Sequence, residues 1–320
     1  MINGQSLLEN AAGKPRVALI AGPTASGKSD LAVKLALDTI ARGADAVVIN
    51  ADSAQVYADL RVLSARPSED EMRGVRHELF GAWDGADPCS AADWAEAAKD
   101  RIAAAHHSGA LPILVGGTGL YLRTLLEGIS PVPPIDPEVR SEVRALSVSD
   151  AYAALQAEDP ERASQLGPAD SQRISRALEV VRSTGLPMSH WHRQITGGIA
   201  QDIALSPLIL LPERRWLYER CDLRFAMMWD LGAVAEVEAL LTRDLPDSAP
   251  VMRAIGVPEI AGYLRAELSR DDALAAGQQA TRNYAKRQYT WLRNQNPAHW
   301  PRVEFENSID FDYVASLLRT

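Results

Sequence analysis

The sequence predicts an α/β protein, a parallel β-sheet flanked by helices on both faces. Three short apolar runs carry that reading: Arg16-Val-Ala-Leu-Ile-Ala21, Ala46-Val-Val-Ile-Asn50 and Leu111-Pro-Ile-Leu-Val115. Each is apolar on both faces, as a buried parallel strand is. Each also stops at residues that turn the chain: Gly22-Pro23, Asp52-Ser53 and Gly116-Gly117. The segments between them repeat apolar residues at helical spacing, and strands alternating with helices build parallel sheets.

Taken in order, the strand Arg16–Ala21 is followed by Ser29 to Ala41, with Leu31, Leu35 and Ile40 at helical spacing. The second strand comes next, and a helix from about Ser90 to His107 then leads into the third. The texture changes at Ile129. Ser130-Pro-Val-Pro-Pro-Ile-Asp-Pro137 cannot be helix interior, because proline lacks the N–H donor and clashes with the preceding turn. From Pro137 to about His192 the pattern is helical and rich in Ala, Glu and Arg, until Thr196-Gly-Gly198 breaks it. Ile203 to Leu211 is again apolar and strand-like. Residues 129–197 therefore read as a helical insertion domain in a core made of residues 1–128 and 198–320. Beyond Arg214 the chain reads as helical to its end, with a loop at Asp244–Pro250.

Length and composition bound the function. A chain of 320 residues makes two domains or one large one. With 47% apolar and 23% charged residues, disorder, collagen and a disulfide scaffold are excluded. No apolar run approaches the roughly 20 residues of a membrane helix. Met1 to Pro15 is polar and lacks the apolar centre of a signal peptide. Cys89 and Cys221 are the only cysteines, far apart and in no CxxC spacing, which points to a reducing cytoplasm and against a cysteine-built zinc site. The net charge of −9, taken alone, counts against nucleic acid, since phosphates are bound by basic surface. The distribution says otherwise. Gln278 to Arg302 holds Arg282, Lys286, Arg287, Arg293 and Arg302 with no Asp or Glu, and Arg173, Arg176, Arg182 and Arg193 face only Glu179. An acidic protein with two basic patches is able to bind RNA.

Gly22-Pro23-Thr24-Ala25-Ser26-Gly27-Lys28-Ser29 matches G-x-x-x-x-G-K-[ST] at every fixed position, with a strand before it and a helix after. The predicted fold is thus P-loop NTPase-like. Backbone amides of the loop and helix N-terminus would cradle phosphate oxygens, with Lys28 adding a point charge. The Ser29 hydroxyl would coordinate Mg²⁺. The loop specifies phosphate without specifying a nucleotide. Asp52 stands at the carboxyl end of the second strand, where open α/β sheets bind ligands. It is read as a Walker-B-type metal ligand, a general base or a helix N-cap. Gly116-Gly-Thr118-Gly-Leu-Tyr-Leu-Arg123 is either a plain turn into a helix or a close backbone approach in which Arg123 pairs with a phosphate.

Together these segments resemble the bacterial tRNA dimethylallyltransferases (tRNA isopentenyltransferases). The matching segments are the phosphate loop, Asp52-Ser-Ala-Gln-Val-Tyr57, Cys89-Ser-Ala-Ala-Asp-Trp94 and Val115-Gly-Gly-Thr-Gly-Leu-Tyr121. Ser171-Gln-Arg-Ile-Ser-Arg-Ala-Leu-Glu179 and Arg282-Asn-Tyr-Ala-Lys-Arg-Gln-Tyr-Thr-Trp291 continue the match, which runs from about Val17 to Arg293. The resemblance implies transfer of a dimethylallyl group from dimethylallyl diphosphate, with Mg²⁺, to the exocyclic amine of the adenosine 3′ of the tRNA anticodon. The loop residues Gly22 to Ser29 would then hold the donor diphosphate, not ATP. It further implies that Asp52 is the base, that Thr118 lies near the acceptor and that Arg224 touches the diphosphate. The tRNA-contacting segments carried over are Asp52, Ser53, Ala54 and Gln55; Thr118; Arg140; Gln172, Arg173, Ile174, Ser175 and Arg176; and Arg253, Ala254, Ile255, Gly256, Val257 and Pro258. Arg282, Lys286 and Arg287 complete the set, with a solvated helix face as the bland reading of that last stretch. The insertion domain would grip the anticodon stem, and the family likeness implies a monomer without membrane contact.

Two departures from the family pattern stand out. Leu63-Ser-Ala-Arg-Pro67 replaces the usual Gly-Thr-Ala-Lys-Pro, and Ile255-Gly-Val-Pro-Glu259 replaces Ile-Gly-Tyr-Lys-Glu. Arg does not substitute freely for Lys, so rate, RNA affinity and tRNA choice are affected while the reaction class is unchanged. The rival readings are a small-molecule P-loop kinase, a prenyltransferase of free adenine nucleotides and a non-catalytic RNA-binding NTPase switch. None of them needs both the Arg-rich insertion and Asp52. The six histidines show no metal-ligand spacing and read as surface residues.

Overall fold

The computed structural model describes residues 13–319. Most of the polar stretch Met1–Pro15, which reads as no signal peptide, lies outside the described residues. In chain order the elements are β1 (Arg16–Ala21), α1 (Lys28–Ala41), β2 (Asp45–Ala51), α2 (Glu69–Met72), β3 (Arg76–Glu78), α3 (Ala91–His107), β4 (Ala110–Gly116) and α4 (Gly119–Glu127). There follow β5 (Gly128–Ile129), α5 (Pro137–Ala145), α6 (Val148–Glu158), α7 (Pro160–Ser164), α8 (Ser171–Thr184), α9 (Met188–His192) and β6 (Thr196–Gly197). The remainder comprises β7 (Ala204–Pro212), α10 (Arg214–Met228), α11 (Val234–Leu241), α12 (Val257–Leu264), α13 (Arg270–Gln295), β8 (Arg302–Phe305) and α14 (Phe311–Arg319). The chain divides into two units, Met1–Leu125 with Ile199–Thr320, and Leu126–Gly198.

In the first unit six strands form one sheet in the order β3-β2-β4-β1-β7-β8, with every neighbouring pair parallel. Strand β4 lies between β1 and β2, and its Gly116 is in register with both Ala21 and Ala51. The carboxyl ends of the three strands read from sequence therefore meet at one level, at the switch point where such sheets bind ligands. One face of the sheet, including Ile20, Val48, Ile113 and Leu208, packs against Leu31, Leu35 and Val314 of α1 and α14. On α3, Trp94, Ala98 and Ile102 are buried, and this helix lies on β2 and β4. Full burial of each such aliphatic side chain contributes about 1.5–3 kcal/mol.

The C-terminal third is not helical throughout. Arg302–Phe305 is a parallel edge strand on β7. Only Val303 of its four residues is buried, so the run is too short and too polar to show a strand period. The three-residue edge strand β3 escapes the sequence for the same reason.

Helix α13 packs on α10 through Gly277, where an added Cβ would lie 2.0 Å from Cζ of the buried Phe225 ring. Gly→Ala normally stabilises a helix interior by about 1 kcal/mol. Here the clash outweighs that gain, and overpacking costs about 1–3 kcal/mol. Gly277→Ala is therefore expected to lower the melting temperature by several degrees in a calorimetric scan. An unchanged or higher value would show that the ring yields.

The second unit is an antiparallel ladder carrying five helices. Gly128 pairs with Gly197 and Ile129 with Thr196, so the Thr196-Gly-Gly198 break closes the unit by meeting its own beginning. Gly198 is required there, since a Cβ would lie 2.4 Å from the Leu126 carbonyl oxygen. The helices are bounded by local signals: Asp136 caps α5 ahead of Pro137, Asp170 caps α8, and Gly185 (φ 69°) ends it. Val143, Leu155, Ile174 and Leu178 form their core.

Candidate active site

A cavity of about 500 Å³ opens in the first unit above the three strand ends. Its floor is the phosphate loop. Gly27, at φ 85°, occupies the N-cap of α1, and Ala25 is also left-handed at φ 63°. The loop thereby aims the helix N-terminus, with its unpaired amides, at whatever enters. Thr24, Lys28 and Ser29 line the cavity, and Arg224 from α10 joins them, donating a hydrogen bond to the Thr24 hydroxyl. Arg220 donates to the Ala25 carbonyl at 3.1 Å. Arg123 stands apart, exposed on α4 and outside the cavity lining.

The electrostatics call for an anion. Burial pulls Lys28 down from its ordinary value, Asp52 pushes it back up, and Arg224 pulls it down again. Burial likewise lowers Arg224. Two desolvated cations share one wall, and a multiply charged anion would compensate both.

Asp52 is 5% exposed and faces the loop, its Oδ2 lying 3.9 Å from Lys28 Nζ. Its other oxygen accepts from the Ala54 amide at 3.1 Å. The Thr118 hydroxyl accepts from the Ser53 amide at 2.9 Å and donates to the Ser53 hydroxyl at 3.2 Å. The Thr118 amide donates to Ala51 at 3.2 Å, so the turns after β2 and β4 are stitched together. Asp52 is thus engaged by Lys28 as well as by the local bond from Ala54; among the described residues no group of three or more His, Cys, Asp or Glu could hold a metal. Leu60, Leu63, Phe225 and Met228 give the cavity an apolar lining, together with Tyr57, Cys89 and Tyr121.

Ser53, Ala54, Gln55, Arg253, Ala254, Ile255 and Arg287 also line this cavity. Gly256 (φ 95°) caps α12, Val257 is buried and Pro258 exposed. Lys286 is exposed, whereas Arg282 is engaged by Asp222 in an ion pair. Of the departures, Leu63 projects into the cavity, and Arg66 turns away to the carbonyls of Tyr57 (3.3 Å) and Ala58 (3.4 Å). In the second unit Arg140, Gln172, Arg173 and Arg176 are at least partly exposed and Ser175 is half-buried. Ile174 does not reach that surface; it is fully buried in the unit's core.

Sequence reasoning singled out the cations and interleaved aromatics of α13 but did not assign its inner face to the cavity. Thr281 and Tyr284 line the cavity, and Tyr284 hydrogen-bonds with Thr118 and Ser53. Burial first, and Asp52 second, push its phenol up. One turn on, Gln288 accepts from the Thr24 amide at 2.8 Å and holds the phosphate loop from behind. Spacing of 281, 284, 288 and 291 is the signal that one helix face serves the site. Gly119 is packed so closely on Trp291 that a Cβ would lie 2.3 Å from its ring.

The family model described as IPP transferase matches residues 55–295. The chain belongs to the IPP transferase family. It is 73% identical over 278 residues to a tRNA dimethylallyltransferase of Novosphingobium aromaticivorans, covering 87% of this chain and 99% of that relative. Among solved structures it is similar to the tRNA isopentenylpyrophosphate transferase of Bacillus halodurans, at 30% identity and a TM-score of 0.66, with 95% of this chain and 96% of that one covered. A eukaryotic dimethylallyltransferase acting on tRNA matches with a TM-score of 0.73 and 26% identity, over 87% of this chain and 69% of that one. This member of the IPP transferase family has the parallel sheet and flanking helices that its sequence predicts.

Proposed function

We propose that the chain transfers a dimethylallyl group from dimethylallyl diphosphate to N6 of the adenosine 3′ of the anticodon in tRNA, releasing diphosphate. One observation carries this reading most directly: a single cavity joins a cationic phosphate loop to a buried carboxylate 3.9 Å from the loop lysine, and is lined also by apolar side chains. A kinase site has use for the loop, but the apolar lining suits a hydrocarbon chain.

In the reaction the bond between C1 and the diphosphate oxygen breaks, and the electron pair leaves with diphosphate. Lys28, Arg224 and the loop amides stabilise that charge. N6 bonds to C1 and loses its proton to Asp52, which orients an otherwise poor nucleophile. Thr118, tied to Ser53, stands beside this acceptor position. Mg²⁺ fits the donor set, because the Ser29 hydroxyl is a hard oxygen and this ion takes much of its shell from water and substrate phosphates. When bound it would offset diphosphate charge. The acceptor base must leave its stack to enter the cavity. The exposed arginines of the second unit are assigned to the anticodon stem. Among the described residues no helix is long and apolar enough to cross a membrane; a tRNA substrate supports a cytoplasmic enzyme, and the family likeness supports a monomer.

The test is transfer of labelled dimethylallyl from its diphosphate into tRNA lacking the modification, with free AMP as a second acceptor. Label in tRNA and none in AMP supports the reading. Label in AMP alone points to a free-nucleotide prenyltransferase, and ATP hydrolysis without label revives the kinase or switch. For the RNA interface, replacing both Arg140 and Arg173 with Ala is expected to weaken tRNA binding. It should also flatten the plot of log affinity against log salt by about 1 for each phosphate that the variant no longer neutralises. An unchanged slope would remove these residues from the interface.

A further inference from the structure

The side chain of Asn50 lies outside the cavity, is fully buried and is assigned no part in the chemistry above. Its amide nevertheless makes a closed set of hydrogen bonds around the base. Nδ2 donates to the main-chain oxygen of Asp52 at 3.0 Å and to that of Leu79 at 3.1 Å, while Oδ1 accepts from the Asp52 amide at 2.9 Å. Both main-chain polar groups of Asp52 are thus held by one neighbouring side chain. The main-chain oxygen of Asn50 is itself held, accepting from Trp94 Nε1 at 2.9 Å. Trp94 stacks on Tyr121 with centroids 4.6 Å apart and planes 13° off parallel, and Tyr121 lines the cavity.

We propose that Asn50 is a positioning residue, fixing the main chain of Asp52 so that its carboxylate is aimed at the acceptor amine. The inference rests on Asp52 acting as base. A carboxylate on one methylene goes where its Cα directs it; the Asp52 carbonyl also accepts from the Gln55 amide at 3.1 Å, but only Asn50 holds the main chain of Asp52 on both sides of that Cα. The task needs a donor and an acceptor on one short planar group. An amide offers both, whereas an ionised Asp only accepts and an aliphatic residue does neither. Displacement of a reacting group by about 1 Å is able to cost on the order of 10²-fold in rate. The remaining bond, to Leu79, ties the Asp52 turn to a residue in the left-handed conformation (φ 63°) beside β3.

The experiment is a double-mutant cycle on the full-length enzyme, combining Asn50→Ala with Asp52→Asn and measuring transfer from dimethylallyl diphosphate to tRNA. Asn50→Ala alone is expected to lower kcat about 10- to 100-fold while KM for donor and tRNA stays within about twofold. In the Asp52→Asn background it is expected to change the residual rate by less than about twofold, because the group it positions is already gone. An equal loss in both backgrounds, a rise in KM at constant kcat, or kcat unchanged by Asn50→Ala would each overturn the proposal. If Asn50→Ala does not fold, Asn50→Ser, which restores one donor, carries the same cycle. If Asp52→Asn itself retains full activity, the failure lies in the assignment of the base and not in Asn50.

Discussion

Asp52→Asn is expected to reduce transfer to tRNA by about 10²- to 10⁴-fold, the range that a positioned general base supplies. The substitution keeps the shape of the side chain and its acceptor oxygen for the Ala54 amide. What it removes is the negative charge and the ability to take a proton from N6. The loss belongs in kcat, because in the proposed reaction the donor is held by the loop and Arg224, which the substitution leaves in place. Donor affinity should hold or tighten. Asp52 partly offsets Lys28 in the free enzyme, so removing its charge leaves the loop more positive toward diphosphate. Single-turnover transfer of labelled donor, beside direct donor binding, separates the two effects. A mutant with normal turnover and weakened donor binding would make Asp52 part of the diphosphate site.

The sequence carries this site unevenly, and for physical reasons. The phosphate loop is contiguous, its glycine demanded by local backbone geometry and its lysine by the charge of a phosphate, so Gly22–Ser29 is legible without a fold. Asp52 and Thr118 are legible as strand-end residues, because long buried parallel strands announce themselves by composition. Their mutual approach is not, since it depends on β4 lying between β1 and β2. Gln288, Tyr284 and Asn50 are quieter still. Each is an ordinary residue in a helix or strand until a partner distant in the chain is brought against it, as Ser53 and Thr118 are against Tyr284. The edge strand Arg302–Phe305 escapes because a four-residue element with one buried side chain has almost no hydrophobic period to read. Basic patches are legible as composition only. Structure distinguishes exposed Lys286 from Arg173 and Arg282, which are engaged by Asp170 and Asp222, and from Ile174, which sits in the core.

Lys28→Met is expected to abolish most transfer without weakening the fold. Removal of one preorganised charge from a water-poor site costs on the order of 10²- to 10³-fold when that charge stabilises the leaving group. Methionine keeps much of the buried stem and discards the ammonium. In the free enzyme that ammonium is a burden: burial lowers its pKa from the ordinary 10.5, and Asp52 restores only part of the loss. The sign follows from proton counting. An unfolded chain keeps the lysine protonated up to its ordinary pKa, while the folded chain releases the proton earlier. Between the lowered value and 10.5 the unfolded state binds more protons, so the ligand-free wild type gains stability as pH rises through that window. Lys28→Met should lose this dependence and melt at an equal or higher temperature near neutral pH. Diphosphate should raise the melting point of the wild type far more than that of the mutant, because a ligand stabilises the fold in proportion to its binding. A mutant that melts lower and is still protected by diphosphate would show instead that Lys28 serves as the partner of Asp52, with the loop amides holding the anion alone.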